Sequence, residues 1–302
     1  MNSGEQGNSD AELRRLRRLA REAKRERQRH ASYERAAKMH EARLQNPVVR
    51  AAHPAPWQSQ KYHVGCSGWF YWHWRGNFYP EDLPRTDWFR HYAETFDTVE
   101  LNAPFYSWPT LASVKTWIQQ AEHSGSFVYT VKVSELITHV KKFEGTEELV
   151  LDFGYIADLL GSRFGCFLFQ LPPSFAFTTE RLEAIVSQLD PARRNVVEFR
   201  HGSWWNREVY RAFKKRGIIF CSCSGPRLPD ELVRTADDIY ARFHGTSRWY
   251  RHDYTIDELT VWADRIRGIG ARRAWVYFNN DRDGYAIKNA RQLLSLLGDR
   301  PF

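Results

Sequence analysis

Charged side chains alternate with apolar ones in several short runs that otherwise look like buried strands. In the run 195–200, Glu198 and Arg200 alternate with Val197 and Phe199. Successive side chains of a strand point to opposite faces, so the two charged residues share one face. A buried carboxylate can serve as a general acid or base, and a guanidinium binds anionic groups. This stretch is therefore predicted to contribute to a functional site.

Four further runs repeat this alternation, and their polar face carries Thr98, Glu100, Asn102, Thr130, Lys132, Ser134, Tyr240, Arg242, His244, Tyr277, Asn279 and Asp281. In a barrel, one strand face meets the helices and the other faces the interior. We therefore expect these polar residues to point inward and to gather at the C-terminal ends of the strands. Barrel enzymes place their catalytic residues at that end. A layer of mutually neutralising ion pairs is the alternative interpretation.

We assign candidate catalytic roles to five residues. Glu198 is the predicted general acid or base, with Glu100 as its partner across the barrel. Two carboxylates in different surroundings can hold different pKa values and so divide these roles. The groups that could assist proton transfer are His201, His244 and Lys132. The chemistry expected is that of a hydrolase, lyase or isomerase.

Substrate binding is assigned to further residues on these strands and in the loops that follow them. The candidates are Trp69, Asn102, Tyr106, His139, Gln170, Arg200, Arg242, Asn279, Asn280 and Asp281. Half of the 14 residues in the segment 67–80 are aromatic. Aromatic faces stack on sugar rings or nucleobases, although such a cluster can equally be a hydrophobic plug. The predicted substrate is a sugar-like or phosphorylated small molecule.

Short apolar runs alternate with helical segments from residue 61 to the C-terminus. The predicted strands are 62–67, 98–102, 127–133, 166–171, 195–200, 218–222, 239–244 and 274–279, and the predicted helices include 111–122, 147–160, 179–189, 204–216, 256–268 and 285–297. Eight such strands predict an α/β fold, a (β/α)8 TIM-type barrel. An open doubly wound sheet is the competing fold, but neither a G-x-G-x-x-G nor a P-loop motif follows the first strand.

A basic segment precedes the barrel. Residues 1–60 hold 13 basic and 7 acidic residues, a net charge of +6 out of +8 for the whole chain. Its helix-forming composition predicts a mostly solvated helix or a partly disordered arm, followed by a linker containing Pro47, Pro54 and Pro56. The predicted domains are thus 1–60 and 61–302. Residues 1–50 could contact nucleic acid or an anionic surface weakly, or have no specific partner.

Composition excludes several classes of protein. The four cysteines are too few for a disulfide scaffold and are interpreted as buried apolar residues. No apolar run is long enough to span a membrane, and no signal-peptide core is found, so a cytoplasmic protein is expected. No motif indicates a cofactor, and no metal site is predicted. A metal-dependent isomerase or hydrolase using Glu100, Glu198, His244 and Asp281 is the alternative, without support from any metal-ligand spacing.

Ten motifs in the same order resemble the YecE-like family, catalogued as domain of unknown function seventy-two. They are GCSGW at 65–69, WRGNFYP at 74–80, TVELN at 98–102, FY at 105–106, ITH at 137–139, FQLPPSF at 169–175, VEFRHGSW at 197–204, RFHG at 242–245, YFNND at 277–281 and NA at 289–290. The resemblance implies a TIM-barrel-like fold and no particular reaction. Two departures stand out: Cys66 lies where the family usually has Thr, and Cys221 to Gly225 lack an expected Asp.

Overall fold

A computed structural model describes residues 3–47 and 61–298, with side chains described from residue 12 onward. Eight strands form one parallel sheet: β1 Tyr62–Cys66, β2 Thr98–Leu101, β3 Val128–Lys132, β4 Phe164–Gln170, β5 Asn195–Glu198, β6 Ile219–Ser224, β7 Asp238–Phe243 and β8 Arg273–Phe278. Their order in the sheet is β1-β8-β7-β6-β5-β4-β3-β2, which makes a nearly closed barrel. The predicted TIM-type barrel is therefore confirmed.

One helix precedes the strands, and the others connect or follow them. They are α1 Ser3–Gln45, α2 Trp88–Thr95, α3 Ala103–Tyr106, α4 Leu111–Gln120, α5 Glu147–Leu160, α6 Thr179–Gln188, α7 Arg207–Arg216, α8 Ile256–Gly268 and α9 Tyr285–Leu297. Single-turn 3-10 segments lie at Trp72–Trp74, Arg85–Asp87, Gly161–Arg163 and Gly202–Trp204, and a π-turn lies at Leu136–Val140. An extended loop, residues 225–237, replaces a helix between β6 and β7. None of the helices in the described ranges is long and apolar enough to cross a membrane.

The seam between β1 and β2 is joined by a side chain instead of a ladder of backbone hydrogen bonds. The Tyr92 hydroxyl accepts from the Cys66 backbone N–H at 2.9 Å and donates to the Thr98 carbonyl at 3.0 Å. Gly65 permits this close approach, since a Cβ there would lie 2.3 Å from the Thr98 carbonyl oxygen. One hydroxyl from α2 therefore closes the barrel at this point.

The apolar core has two layers, as the alternation of residues predicted. Val99, Val197 and Phe243 belong to the layer between the sheet and the helices. Val196 and Tyr277 belong to a smaller cluster enclosed by the strands. The polar residues of the same strands share the enclosed face, and those nearest the C-terminal ends form the site described below.

The α1 helix is divided into an exposed half and a half packed on the barrel. Ala36, Met39 and Ala42 are buried in the core, and Arg43 Nε donates to Asp152 Oδ1 at 2.8 Å. Leu13, Leu16 and Leu19, by contrast, are between 46% and 56% exposed. A mostly solvated helix was predicted, and the packing of its second half is the part that composition did not indicate. Of the predicted linker, Pro54 and Pro56 lie outside the described residues.

Candidate functional site

A single guanidinium joins the two predicted carboxylates inside the barrel. Arg242 donates from Nη2 to Glu100 Oε1 and from Nη1 to Glu198 Oε2, both at 2.6 Å. Glu100 also accepts from the Tyr240 hydroxyl at 2.6 Å and the Ser67 hydroxyl at 2.7 Å. All three charged side chains are completely or almost completely buried. Buried charges require such pairing, so removal of any one charged member of this network leaves a buried charge uncompensated and destabilises the fold.

A second arginine and a histidine complete the surroundings of Glu198. Arg200 Nε donates to Glu198 Oε1, and Arg200 Nη2 lies 3.0 Å from His244 Nε2. Burial alone would raise the pKa of Glu198, but Arg200, Arg242 and His244 together lower it well below its usual range. The carboxyl group is therefore ionised at neutral pH, and its protonated form is not available as an acid.

His244 is neutral in this arrangement. Burial, and then the positive charges of Arg200 and Arg242, lower the His244 pKa well below its usual value. Nε2 lies 3.0 Å from Arg200 Nη2 and 3.5 Å from Glu198 Oε1. Nδ1 faces the side-chain amide of Asn279 at 3.3 Å. The histidine thus orients neighbouring groups and is a poor proton donor at neutral pH.

Lys132 has surroundings unlike those of the other charged groups. It is only 9% exposed, and its Nζ lies 4.2 Å from the centre of the Phe105 ring. Within the described part of the chain, Nζ forms no hydrogen bond or salt bridge. Burial first, and then the charge of Arg242, lower the Lys132 pKa to about 7. An amine that is about half neutral near pH 7 suits proton transfer or nucleophilic attack.

Aromatic side chains surround the opening above Lys132. The Phe105 ring contacts His139 edge to face at a centroid distance of 4.8 Å, and Tyr106 is 60% exposed beside it. Burial, followed by the charge of Lys132, lowers the pKa of His139 to about 4. Arg200 stacks over Trp249 at 4.4 Å. The opening therefore combines flat apolar faces with guanidinium charge.

Three predicted amide residues lie on the strand ends of the same opening. Asn102 donates to the Ser67 carbonyl at 3.2 Å, and Gln170 donates to the Leu171 carbonyl at 2.8 Å. Asn279 contacts His244, as described above. Trp69 packs edge to face on Phe89 at 5.4 Å and is partly buried beneath the first loop. These contacts fix side chains around the opening.

Three other predicted residues form separate groups. His201 contacts the Ser203 hydroxyl at 2.7 Å on the rim. Asp281 accepts from Trp74 Nε1 at 2.8 Å and contacts His73 Nε2 at 2.8 Å. Asn280 donates to the Asn289 side chain at 2.7 Å and to the His252 carbonyl at 2.8 Å. No hydrogen bond or ion pair among the described contacts joins these three to Glu198.

Residues that were not assigned a catalytic or binding role from the sequence also contribute. Ser67 and Tyr240 bind Glu100. The ligand atoms of Cys223, Glu198 and His244 all lie within 4.8 Å of one another. Such a trio suits a transition metal by ligand type, but the Arg200 guanidinium already contacts both Glu198 Oε1 and His244 Nε2. A cation bound there would have to displace this side chain. Alternation along β1 and β6, like that along the other strands, would have placed Ser67 and Cys223 on the inner face.

Cavities lie elsewhere in the molecule. One of about 580 Å³ lies at the opposite end of the barrel, where Arg273 pairs with Asp238 at 3.1 Å. A groove of about 490 Å³ separates α1 from the loop after β2 and is lined by Lys24, Arg27, Gln28, Ala31, Arg35, Tyr106 and Ser107. This groove runs from the basic side chains of α1 to Tyr106 at the rim of the barrel opening.

Comparisons with known proteins agree with this architecture. UPF0759 protein YunF of Bacillus subtilis is 24% identical over 274 residues, which are 78% of this chain and 94% of that protein. The crystal structure of a DUF72 family protein from Thermotoga maritima matches with 28% identity and a TM-score of 0.71, over 80% of this chain and all of the other. A DUF72 family protein from Enterococcus faecalis has the same fold, with 20% identity and a TM-score of 0.66, over 80% of this chain and 98% of the other.

The family model covers the barrel domain. The family described as "Protein of unknown function DUF72" matches residues 63–301, which include β1 from its second residue, all of β2 to β8, and the residues of the Glu100–Arg242–Glu198 network. The YecE-like resemblance of the ten motifs concerns this same family. The chain belongs to the DUF72 family.

Proposed function

We propose that this protein is an enzyme that acts on an anionic, sugar-like or phosphorylated small molecule at the C-terminal opening of the barrel. The observation that carries the proposal is Lys132, a buried lysine that has no hydrogen-bonding partner among the described residues and whose pKa is lowered to about 7. Strongly perturbed groups of this kind cluster at functional sites. Its position at the end of β3 is where this fold places catalytic groups.

The roles within the proposed site differ from those expected from residue types alone. Lys132, instead of Glu198, is the group that takes and returns a proton, because about half of it is neutral near pH 7. Glu198 and Glu100 hold Arg242 in place and keep the interior close to neutral. Arg200, stacked on Trp249, binds the anionic part of the substrate. Proton transfer at carbon or oxygen fits a lyase, isomerase or hydrolase.

Substrate screening with matched variants tests this proposal. Purified protein is incubated with pools of sugar phosphates, sugar acids and glycosides, and turnover is followed by mass spectrometry. Lys132→Met should lower turnover by at least about a hundredfold, as expected for loss of a general acid–base group. Lys115→Met, which changes an exposed lysine of α4, should retain full activity. Equal turnover by the Lys132→Met variant and the natural protein would contradict the proposed role.

A metal-dependent isomerase or hydrolase is the second candidate, and one cluster favours it. Cys223, Glu198 and His244 supply a sulfur, an oxygen and a nitrogen ligand in one buried place. Elemental analysis of the purified protein tests this function directly. About one zinc or other transition metal per chain, lost in a Cys223→Ser variant, would support it. Substoichiometric metal that is unchanged by Cys223→Ser would refute it.

Nucleic-acid binding through α1 is the third candidate. The exposed first half of α1 is rich in arginine, and its groove reaches the exposed Tyr106 ring. Charge and stacking are the two components of single-strand binding. A fluorescent single-stranded DNA probe should bind with strong salt dependence, and deletion of residues 3–28 should abolish that binding. Equal binding by the truncated protein would place any affinity elsewhere.

A further inference from the structure

We propose that Lys132 is a nucleophile that forms an imine with a carbonyl group of an anionic substrate. This inference rests on the proposed enzymatic function of the barrel opening and names the class of substrate. An imine requires a neutral primary amine that is held near the substrate and is free of carboxylate partners. The surroundings of Lys132 meet each of these conditions.

The two carboxylates whose charges act on Lys132, those of Glu198 and Glu100, already accept hydrogen bonds from other groups. Glu100 accepts from Arg242, Tyr240 and Ser67. Glu198 accepts from Arg242 and Arg200. A salt bridge from Lys132 would therefore compete with two buried guanidinium groups that are already in place. The amine is left for a ligand that enters from the opening.

Packing on Phe105 fixes the position of the amine. Nζ lies over the Phe105 ring, and that ring is held in turn by His139 and Tyr106 at 4.8 and 4.9 Å. A lysine with four freely rotating bonds is thus confined to one region of the opening. Confinement of this kind raises the effective concentration of a nucleophile toward a bound carbonyl.

The reaction balances without an oxidant or a reductant. The neutral amine adds to the carbonyl carbon, so that a C–N bond forms and the C=O π bond breaks. One N–H proton moves to the oxygen and gives a carbinolamine. The hydroxyl group then leaves as water with the second N–H proton, and a C=N bond remains. Two hydrogens and one oxygen are released together as a water molecule.

Charge in the opening selects the substrate class. Arg200 is a charged group at its edge, with a side-chain exposure of 8%, and it stacks on Trp249. Its guanidinium suits a carboxylate or a phosphate next to the reacting carbonyl. We therefore expect carbonyl compounds that carry an anionic group to react in preference to neutral ones of similar size.

Borohydride trapping in the full-length protein tests this inference. The protein is incubated at pH 7.5 with pyruvate, dihydroxyacetone phosphate or acetone, reduced with sodium borohydride, and mapped by peptide mass spectrometry. A lysine with a pKa near 7 is about half neutral at pH 7, whereas the neutral fraction of an ordinary lysine at that pH is roughly one in 2,500. We expect at least about tenfold more adduct on Lys132 than on Lys115. Pyruvate and dihydroxyacetone phosphate distinguish a carboxylate from a phosphate, and acetone is the neutral control.

Acetylation with acetic anhydride in parallel samples separates the two proposals. Acetylation of Lys132 at neutral pH without any reduced adduct would overturn imine formation and leave its proposed role in proton transfer in place. If neither acetic anhydride nor any carbonyl probe modifies Lys132 below pH 9, both proposals, proton transfer and imine formation, are overturned. The inference is supported by an adduct on Lys132 that is absent from Lys132→Met, is retained in Lys115→Met and forms preferentially with the anionic probes.

Discussion

Replacement of Lys132 with methionine should make the protein more stable at neutral pH and should change how stability depends on pH. The folded pKa of about 7 lies below the ordinary value of 10.5, so the unfolded chain binds the proton more tightly. Stability of the natural protein therefore rises with pH between about 7 and 10.5. Each pKa unit corresponds to about 1.4 kcal/mol, so the complete effect is about 5 kcal/mol.

Methionine retains most of the apolar stem of lysine and carries no proton, so it removes this dependence. Urea unfolding at pH 6, 7, 8 and 9 measures the free energy of unfolding of both proteins. The difference between them should shrink by about 2 kcal/mol from pH 7 to pH 9, with Lys132→Met the more stable at pH 7. Lys115→Met, at an exposed site, should differ from the natural protein equally at every pH. A pH-independent difference for Lys132→Met would refute the lowered pKa.

Three further substitutions test other parts of the structure by urea unfolding. Glu198→Gln should cost about 3–5 kcal/mol at pH 7, because it removes the partner carboxylate of Arg200 and one of the two carboxylates paired with Arg242. Since the Glu198 pKa is lowered in the folded state, this cost should fall as the pH drops below about 4.5, and a constant cost would contradict the ion pairing. Tyr92→Phe should cost about 1–3 kcal/mol through loss of the hydroxyl that joins β1 and β2. The control, Tyr250→Phe, changes a ring that is 40% exposed. An equal loss of stability in the two variants would contradict the role of the Tyr92 hydroxyl in joining β1 and β2. Met39→Ala should cost about 2–5 kcal/mol if α1 is packed on the barrel as described. Leu16→Ala, at a 56% exposed site, should change stability by no more than about 0.5 kcal/mol, and equal values for the two would contradict that packing.

Alternation of side chains explains why the barrel could be predicted from the sequence. Glu100, Glu198 and Arg242 were placed on one interior face by counting every second residue, and that period holds for any buried strand. The predicted helices 147–160, 256–268 and 285–297 agree with the observed ones in both bounds. Gly161, Gly217 and Gly298 end their helices as C-cap residues. Local features of the chain were sufficient for these elements.

Pairing between strands could not be predicted in the same way. Alternation places Arg242 inside the barrel but does not show that it binds both carboxylates, because that depends on the register of strands far apart in the sequence. The prediction of Glu198 as an acid or base therefore did not include its two arginines, which keep it ionised. Lys132 was ranked as an accessory group, since the absence of a partner for its amine is a property of the folded interior alone. The packing of α1 through Met39 likewise depends on the shape of the barrel surface.

Nuclear magnetic resonance of the Lys132 side chain tests the central claim most directly. The protein is labelled with 15N and 13C in lysine, and the Lys132 signal is assigned by comparison with Lys132→Met. The Nζ and Cε chemical shifts are then followed from pH 5 to pH 11. A neutral, reactive amine at the barrel opening predicts a midpoint of about 7. A midpoint near the ordinary lysine value of about 10.4 would contradict it.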